Sequence, residues 1–200
     1  MTMDFKTLQD EYLSKQASLD RFMKAMREQL LELFDGESLA LGLPIEARVK
    51  TWLSIEEKLR RRSLTPSSLV ELTDLVGLRA IFLFRRDLDK ATAAVSRTFV
   101  VVTQEDTGER LGESSFGYQS LHLIVRAPKE WQSLPALRGC QDFTVELQLR
   151  TLAQHLWAAS SHKLQYKQET GVPLGEVQLA VESQWRLGGH IYAAFVRGST

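Results

Sequence analysis

The stretch VELQLR, residues 145–150, alternates apolar and polar side chains at every step. Successive side chains of a β-strand point to opposite faces of its sheet. The three apolar residues would therefore line one face, and the three polar residues, Glu146, Gln148 and Arg150, would line the other. The stretch thus predicts a sheet whose apolar face packs on a core while its opposite face carries an acid, an amide and a base.

The composition is that of an ordinary globular domain. The chain has 200 residues, of which 44% are hydrophobic, and its 25 basic and 25 acidic residues balance. This balance argues against a generally basic nucleic-acid coat, although it is compatible with a local basic patch. The single cysteine, Cys140, excludes an internal disulfide bond and a cysteine-based zinc cluster. No apolar run is long enough to span a membrane and no signal-peptide pattern is present, so we expect a cytoplasmic protein.

Local patterns predict helices around a mixed sheet. Apolar side chains recur at three- and four-residue steps over residues 4–34, which is typical of a long amphipathic helix. A capping-box pattern predicts a helix from Ser54, and Thr65 followed by Pro66 predicts another helix start. A second capping box, at Thr151–Gln154, begins the last predicted helix. Strands are predicted within residues 78–84, 99–105, 120–128 and 143–150. Most connections are too short for parallel crossovers, so we expect an α+β fold.

Three cations lie around the start of the second helix, namely Arg48, Lys50 and Lys58. Free backbone amides and the helix dipole already favour anions at such a start, so these cations would suit a polyphosphate. A solvated basic face that continues through residues 60–62 is the alternative interpretation.

Two further positions carry charge beside apolar strands. Arg79 lies inside an apolar run and therefore needs a partner or a ligand, and Asp74 lies just before that run. Asp74 and Glu146 together could hold a magnesium ion, because Mg²⁺ takes carboxylate and phosphate oxygens.

A further motif is GYQSLHLIV, residues 117–125, in which Tyr118 and His122 would lie on the same face of a strand. The ring could stack on a base and the histidine could reach a phosphate, although ordinary packing also explains both.

Four segments, in this order and spacing, resemble the synthetase domain of the RelA/SpoT family, which makes the alarmones ppGpp and pppGpp. They cover most of residues 48–167 and read RVKTWLSIEEKL, DLVGLRA, GYQSLHLIV and VELQLRTLAQHLWAASSHKLQYK. The chain length, and the lack of a histidine–aspartate hydrolase pattern, are similar to those of a small single-domain alarmone synthetase. The resemblance implies a helical segment at 1–43, a synthetase domain at 44–172 and a divergent tail at 173–200.

The resemblance also implies a fold and a reaction. The family's fold is a mixed five-stranded sheet flanked by helices, related to nucleotidyltransferases. Its reaction moves the β,γ-pyrophosphate of ATP to the 3′-hydroxyl of GDP or GTP and leaves AMP.

Residue roles follow from the same resemblance. ATP would be bound by Arg48, Lys50, Lys58 and Arg79. Asp74 would hold Mg²⁺, and Glu146 would be the catalytic carboxylate, as a second magnesium contact or as a base. Tyr118 would stack on the acceptor's guanine. The acceptor and its phosphates would be ordered by His122, Gln148 and Arg150.

The loop at residues 105–118 departs from the family's usual pattern. Arg110 is its only cation beside four acids, whereas many members have a basic stretch ending in Lys-Pro-Asn. Such a loop is poorly suited to hold a guanosine polyphosphate. The acceptor is therefore left open between GDP or GTP, an adenine nucleotide, and the 3′ end of tRNA, which a toxic branch of the family modifies.

Two further expectations concern class and assembly. The alternative to an enzyme is a nucleotide-binding regulatory module that does not catalyse a reaction. The two carboxylates, Asp74 and Glu146, argue against this alternative. Many small synthetases are tetramers, and the long first helix could pack between subunits of a homo-oligomer.

Overall fold

The computed structural model describes residues 5–106, 120–156 and 158. Tyr118, the part of the loop at 105–118 that follows Asp106, and the tail at 173–200 lie outside these residues. The described helices and strands are α1 (Phe5–Gly36), β1 (Leu41–Val49), α2 (Trp52–Arg61), β2 (Val76–Phe82), α3 (Arg85–Thr98), β3 (Val100–Asp106), β4 (Leu121–Arg126) and β5 (Val145–Thr151).

The strands form one mixed five-stranded sheet. Their order is β1-β2-β5-β4-β3, which places β5 at the centre. The β2–β5 pair is parallel, whereas β1–β2, β5–β4 and β4–β3 are antiparallel. The predicted α+β fold with a mixed sheet and flanking helices is therefore confirmed.

The first strand was not predicted from local sequence signals. Strand β1 contains Gly42 and Pro44, which are typical of a loop. Its pairing with β2 shifts register between Leu41 and Leu43 and again between Leu43 and Glu46. Proline cannot donate a hydrogen bond to the ladder, so it is tolerated in an irregular strand at the edge of a sheet. The position of β1 at that edge explains how a strand can contain both residues.

Two predicted helix starts are also wrong, and one is confirmed. Helix α2 begins at Trp52, with the Thr51 hydroxyl accepting a hydrogen bond from the Ser54 amide at 3.4 Å, so Ser54 lies inside the helix. After Thr65 the chain forms only a short 3-10 turn at Leu69–Glu71. At Thr151–Gln154 the two reciprocal capping bonds measure 2.8 and 3.2 Å, as a capping box requires.

The 3-10 turn replaces the predicted helix because α1 binds its backbone. The carboxylate of Glu11 accepts hydrogen bonds from the Leu69 amide at 2.9 Å and from the Ser68 hydroxyl at 3.0 Å. These long-range bonds attach the turn to α1. Tertiary contact therefore overrides the local capping signal.

Helices α1 and α3 pack against the sheet and against each other. The three apolar residues of β5 are fully buried in this core, as their alternation predicts. Phe34 meets Phe82 edge-on at a centroid distance of 5.1 Å, and Phe22 meets Phe143 at 5.7 Å. The polar face of β5 is thereby left for the site. None of the helices in the described part of the chain has the length and apolarity that crossing a membrane requires.

Candidate functional site

The floor of the site begins with a row of residues that face one another across three strands. Gly77 of β2 is in register with Arg48 on one side and with Glu146 on the other. A Cβ atom at Gly77 would lie 3.8 Å from both Cγ and Nε of Arg48, so the Arg48 side chain passes over this glycine. The missing side chain at Gly77 keeps the space between β1 and β5 open.

The neighbouring row is polar in all five strands. Glu46, Arg79, Gln148, His122 and Glu105 are paired in that order across β1, β2, β5, β4 and β3. Residues two apart on a strand share a face, so this row lies on the same face as Arg48 and Glu146. The polar face of β5 thus continues along this row to both edges of the sheet.

The two rows enclose a cavity of about 160 Å³ between β1, β2 and β5. Its charged and polar lining includes Glu46, Arg48, Lys50, Asp74, Arg79, Glu146 and Gln148. Cations and carboxylates therefore face one space, as a site for a metal-bound polyphosphate requires.

Asp74 holds two lysines at one end of the cavity. Its Oδ2 accepts hydrogen bonds from Lys50 and from Lys58, the latter at 2.7 Å. The side chains are only 17 to 20% exposed. Burial alone would raise the pKa of the Asp74 carboxyl, but the bonds from both lysines outweigh it, so the pKa is lower than usual. At neutral pH Asp74 is therefore a carboxylate flanked by two ammonium groups.

Glu146 is paired with His122 across the β4–β5 boundary. Nδ1 of His122 lies 3.0 Å from Oε1 of Glu146. This hydrogen bond lowers the pKa of the Glu146 carboxyl despite its burial, while the nearby charge of Asp74 acts in the opposite direction. Glu146 is therefore ionised at neutral pH, and it lines the same cavity as Asp74.

Arg79 has the partners that its apolar strand requires. Its Nη1 donates to Oε2 of Glu46 at 2.6 Å, and its Nε donates to Oε1 of Gln148 at 3.1 Å. The same Oε1 accepts from Nη2 of Arg150 at 2.9 Å. Nε of Arg150 donates to the Ser120 hydroxyl at 3.1 Å. One hydrogen-bonded chain therefore runs from the edge strand β1 to the residue before β4.

Arg150 is the most deeply buried charged residue among these hydrogen-bonded side chains, with 3% of its surface exposed. Burial, and then the charge of Arg79, lowers the pKa of Arg150 to about 10. Arg150 nevertheless stays protonated at neutral pH and remains a cation and a hydrogen-bond donor.

The donor set fits a magnesium ion that is shared with a substrate. Within the described ranges, no group of three or more His, Cys, Asp or Glu side chains could hold a metal ion alone. Asp74 and Glu146 line one cavity and supply two carboxylates. Mg²⁺ commonly takes one or two carboxylates and completes its shell with water and substrate phosphates.

The structure brings most of the predicted site residues together. Arg48, Lys50, Asp74, Arg79, Glu146 and Gln148 line the cavity itself. Lys58, His122 and Arg150 contact it through Asp74, Glu146 and Gln148 respectively. Tyr118 lies outside the described residues.

Glu46 also belongs to the site, although no local sequence signal indicated it. It lies two residues before Arg48, so it would share a strand face with that arginine. This signal becomes visible only once residues 41–49 are recognised as a strand.

Comparisons with known proteins agree with this architecture. A model of a region found in RelA and SpoT proteins matches residues 47–171. The chain is 37% identical over 135 residues to GTP pyrophosphokinase YjbM of Bacillus subtilis (strain 168), a match that covers 65% of this chain and 61% of that protein. The chain therefore spans about three-fifths of the length of the curated relatives that it matches.

Solved structures match over more of the chain. Small alarmone synthetase 1 from Bacillus subtilis, bound to its product pppGpp, matches with a TM-score of 0.68 at 27% identity and covers 96% of this chain and 98% of that one. The structure of that synthetase bound to AMPCPP matches with a TM-score of 0.62 at 25% identity, covering 94% and 96%.

Proposed function

Because the chain belongs to the RelA/SpoT family, we propose that it is a pyrophosphokinase that transfers the β,γ-diphosphate of ATP to the 3′-hydroxyl of GDP or GTP. The observation that carries this proposal is a cavity in which cations from β1 and β2 face two carboxylates, Asp74 and Glu146. Similar proteins support it, since a curated relative is a GTP pyrophosphokinase and small alarmone synthetase 1 was solved with pppGpp and with AMPCPP.

The cations Arg48, Lys50, Lys58 and Arg79 are assigned to ATP. Lys50 and Lys58 point at one carboxylate in the free protein, so their charges already converge on one place. Phosphate oxygens arriving there would find two ammonium groups oriented before binding. Diphosphoryl transfer requires mainly positioning and cations against developing charge, and this convergence supplies both.

The proposed chemistry is a displacement at the β-phosphorus of ATP. The 3′-oxygen of the acceptor forms a bond to that phosphorus, and the bond from the phosphorus to the oxygen bridging to the α-phosphate breaks, which releases AMP. We assign the hydroxyl proton to Glu146. Because the pKa of Glu146 is lowered, it would accept this proton late, after the new bond has made the hydroxyl more acidic.

Magnesium would be held by Asp74 and Glu146 together with phosphate oxygens, and when bound it would neutralise charge on the transferred group. His122 fixes the Glu146 carboxylate through the 3.0 Å bond. On the acceptor side we retain Tyr118, His122, Gln148 and Arg150 as proposed contacts.

A second acceptor, the 3′ end of tRNA, is favoured by the charge distribution around the site. Arg61 and Arg62 are exposed three and four residues after Lys58, so the basic surface continues from the site to the C-terminal end of α2. Glu105 and Asp106 are exposed at the end of β3, and their carboxylates would repel a nucleotide polyphosphate bound there. A polynucleotide could use the first feature and avoid the second.

The test is thin-layer chromatography of purified protein with γ-labelled ATP and magnesium, offered GDP, GTP, AMP and deacylated tRNA in parallel. Label on GDP or GTP is the expected result. Label on tRNA alone would replace the proposed acceptor with the second one. Retention of all label on ATP, with nucleotide still bound, would favour a regulatory module.

A further inference from the structure

The backbone of Lys50 is held on both sides of its Cα atom. Lys50 lies between the last residue of β1 and Thr51, the N-cap of α2. Its N–H donates to the carbonyl of Leu75 at 2.8 Å. Its own carbonyl accepts from the hydroxyl of Tyr12, on α1, at 3.1 Å. The two peptide groups of Lys50 are therefore attached, one to the residue after Asp74 and the other to α1.

The Tyr12 side chain is fixed by its surroundings. It is 5% exposed, and its ring centroid lies 5.9 Å from that of Trp52, the first residue of α2. Burial, and then the charge of Asp20, raises the pKa of the Tyr12 hydroxyl, so the hydroxyl is protonated at neutral pH and can donate. A buried donor that loses its acceptor is costly. The bond from Tyr12 to Lys50 is therefore a stable part of the folded protein.

The preceding residue of α1, Glu11, holds the segment that leads to Asp74. Its carboxylate, 18% exposed, accepts the bonds from Ser68 and Leu69 described above. Burial alone would raise the pKa of the Glu11 carboxyl, but the bonds from Leu69, Lys15 and Ser68 outweigh it, so the pKa is lower than usual. Glu11 therefore binds this turn as an anion at neutral pH.

Lys58 lies on α2, which also packs on the start of α1. The guanidinium group of Arg60 lies 4.9 Å from the ring centroid of Phe5, and Trp52 contacts Tyr12. The first turns of α1 therefore contact all three segments whose charged side chains meet at one end of the cavity.

We propose that Glu11 and Tyr12 are positioning residues for the donor nucleotide, because they hold the backbone from which Lys50 and Asp74 project. Both α1 residues lie outside the lining of the cavity, so they would act through those two side chains. Charged groups that are already in place lose less conformational freedom when a polyphosphate binds. That this polyphosphate belongs to ATP rests on the proposed function.

The acceptor side of the site is held by other bonds. His122 lies within hydrogen-bond distance of Glu146, and Arg150 donates to Ser120 and to Gln148. All five residues lie on β4 or β5 or directly before β4. Loss of the α1 bonds should therefore weaken binding of the donor nucleotide and leave acceptor binding unchanged, whereas a merely structural role would weaken both.

Tyr12→Phe removes the hydroxyl and keeps the buried ring. Glu11→Ala removes the carboxylate, and Glu11→Gln is the conservative rescue, because its amide oxygen can still accept from Leu69. Two controls match these changes. Thr92→Val removes a hydroxyl that donates to a backbone carbonyl on α3, and Glu32→Ala makes the same side-chain change at an exposed position of α1.

The first measurement is calorimetric titration with AMPCPP, tripolyphosphate and GDP in the presence of magnesium. In Tyr12→Phe and Glu11→Ala, the Kd for AMPCPP and for tripolyphosphate should rise about three- to tenfold, which is the equivalent of one hydrogen bond. The Kd for GDP should stay at the wild-type value. Glu11→Gln should restore most of the lost affinity, and both controls should bind as wild type. In transfer assays the KM for ATP should rise while the KM for the acceptor does not change.

The second measurement needs no ligand. Hydrogen exchange of the free protein, followed by mass spectrometry of peptides that contain Lys50, should be faster at the Lys50 amide in Tyr12→Phe than in wild type. The reason is that release of the Lys50 carbonyl loosens the neighbouring bond to Leu75. Thr92→Val should leave this exchange unchanged.

Three results would overturn the proposal. They are wild-type affinity for AMPCPP in both Tyr12→Phe and Glu11→Ala, equal weakening of AMPCPP and GDP binding, and wild-type exchange at Lys50 in Tyr12→Phe. Failure of the proposed function is distinguishable, because wild type would then transfer no diphosphate while the exchange comparison still gives its result.

Discussion

Replacing Asp74 with asparagine tests the charge cluster at the end of the cavity. In wild type one oxygen of Asp74 accepts from both Lys50 and Lys58, and all three side chains are largely buried. A hydrogen bond between charged groups contributes roughly 1.5 to 3 kcal/mol. The asparagine oxygen can still accept from both lysines, at about 1 kcal/mol each, but it carries no charge and leaves two largely buried ammonium groups without an anion.

The expected net effect is a loss of about 2 kcal/mol in the free energy of unfolding. For a chain of this size that corresponds to a fall in Tm of roughly 4 to 8 °C. Tripolyphosphate should restore more stability in the variant than in wild type, because it supplies the missing counter-charge. The assay is urea unfolding and thermal unfolding, each with and without tripolyphosphate.

The pH dependence has a defined sign. The pKa of Asp74 is lower in the folded protein than its ordinary value, so its stabilisation is complete above the pKa of an unfolded aspartate, about 3.9. The difference between wild type and variant should vanish as pH falls through the folded pKa.

The matched control is Asp89→Asn, at an exposed position on α3. A loss in the Asp74 variant no larger than in this control, or equal stabilisation of variant and wild type by tripolyphosphate, would refute the account of the cluster.

Three further predictions concern other contacts. Glu46→Gln removes the ion pair to Arg79, and because the Glu46 carboxylate is 48% exposed, the free energy of unfolding should change little. Calorimetry should show that the variant binds AMPCPP several-fold more weakly than wild type. Unchanged AMPCPP binding would contradict this prediction. Phe22→Ala, at a fully buried site, should cost about 3 to 5 kcal/mol in urea unfolding, and a loss below about 1 kcal/mol would be inconsistent with its packing. His122→Ala removes the main cause of the lowered pKa of Glu146, so that pKa should rise. The acidic limb of the pH dependence of the transfer rate should then move to higher pH. An acidic limb that does not move would exclude Glu146 as the group that accepts the proton.

The alternation of β5 could be predicted because it depends only on the two faces of a strand, and its three leucine and valine side chains are fully buried. The need of Arg79 for partners was also visible, since a charge inside an apolar run must be compensated. Which partners it has was not visible. Glu46 lies on β1, which could not be predicted as a strand because it contains Pro44 and its pairing with β2 is irregular.

Other features depend on contacts between distant segments. Thr65 and Pro66 are good helix-start residues, but the carboxylate of Glu11, more than fifty positions earlier in the chain, binds the following backbone. The convergence of Lys50 and Lys58 on Asp74 likewise requires β1, α2 and the approach to β2 to meet. Local patterns therefore predicted which residues carry charge, whereas the tertiary structure determines how those charges are paired.

The most direct test of the central claim is the fate of the phosphorus atoms of ATP, followed by ³¹P NMR with chromatographic quantitation of the products. Wild-type protein, magnesium and the acceptor identified by labelling should give AMP and a product that carries an intact diphosphate, in equal amounts. Glu146→Gln should still bind AMPCPP but give neither product. Formation of ADP, or of AMP with free pyrophosphate and no modified acceptor, would contradict diphosphate transfer at this site.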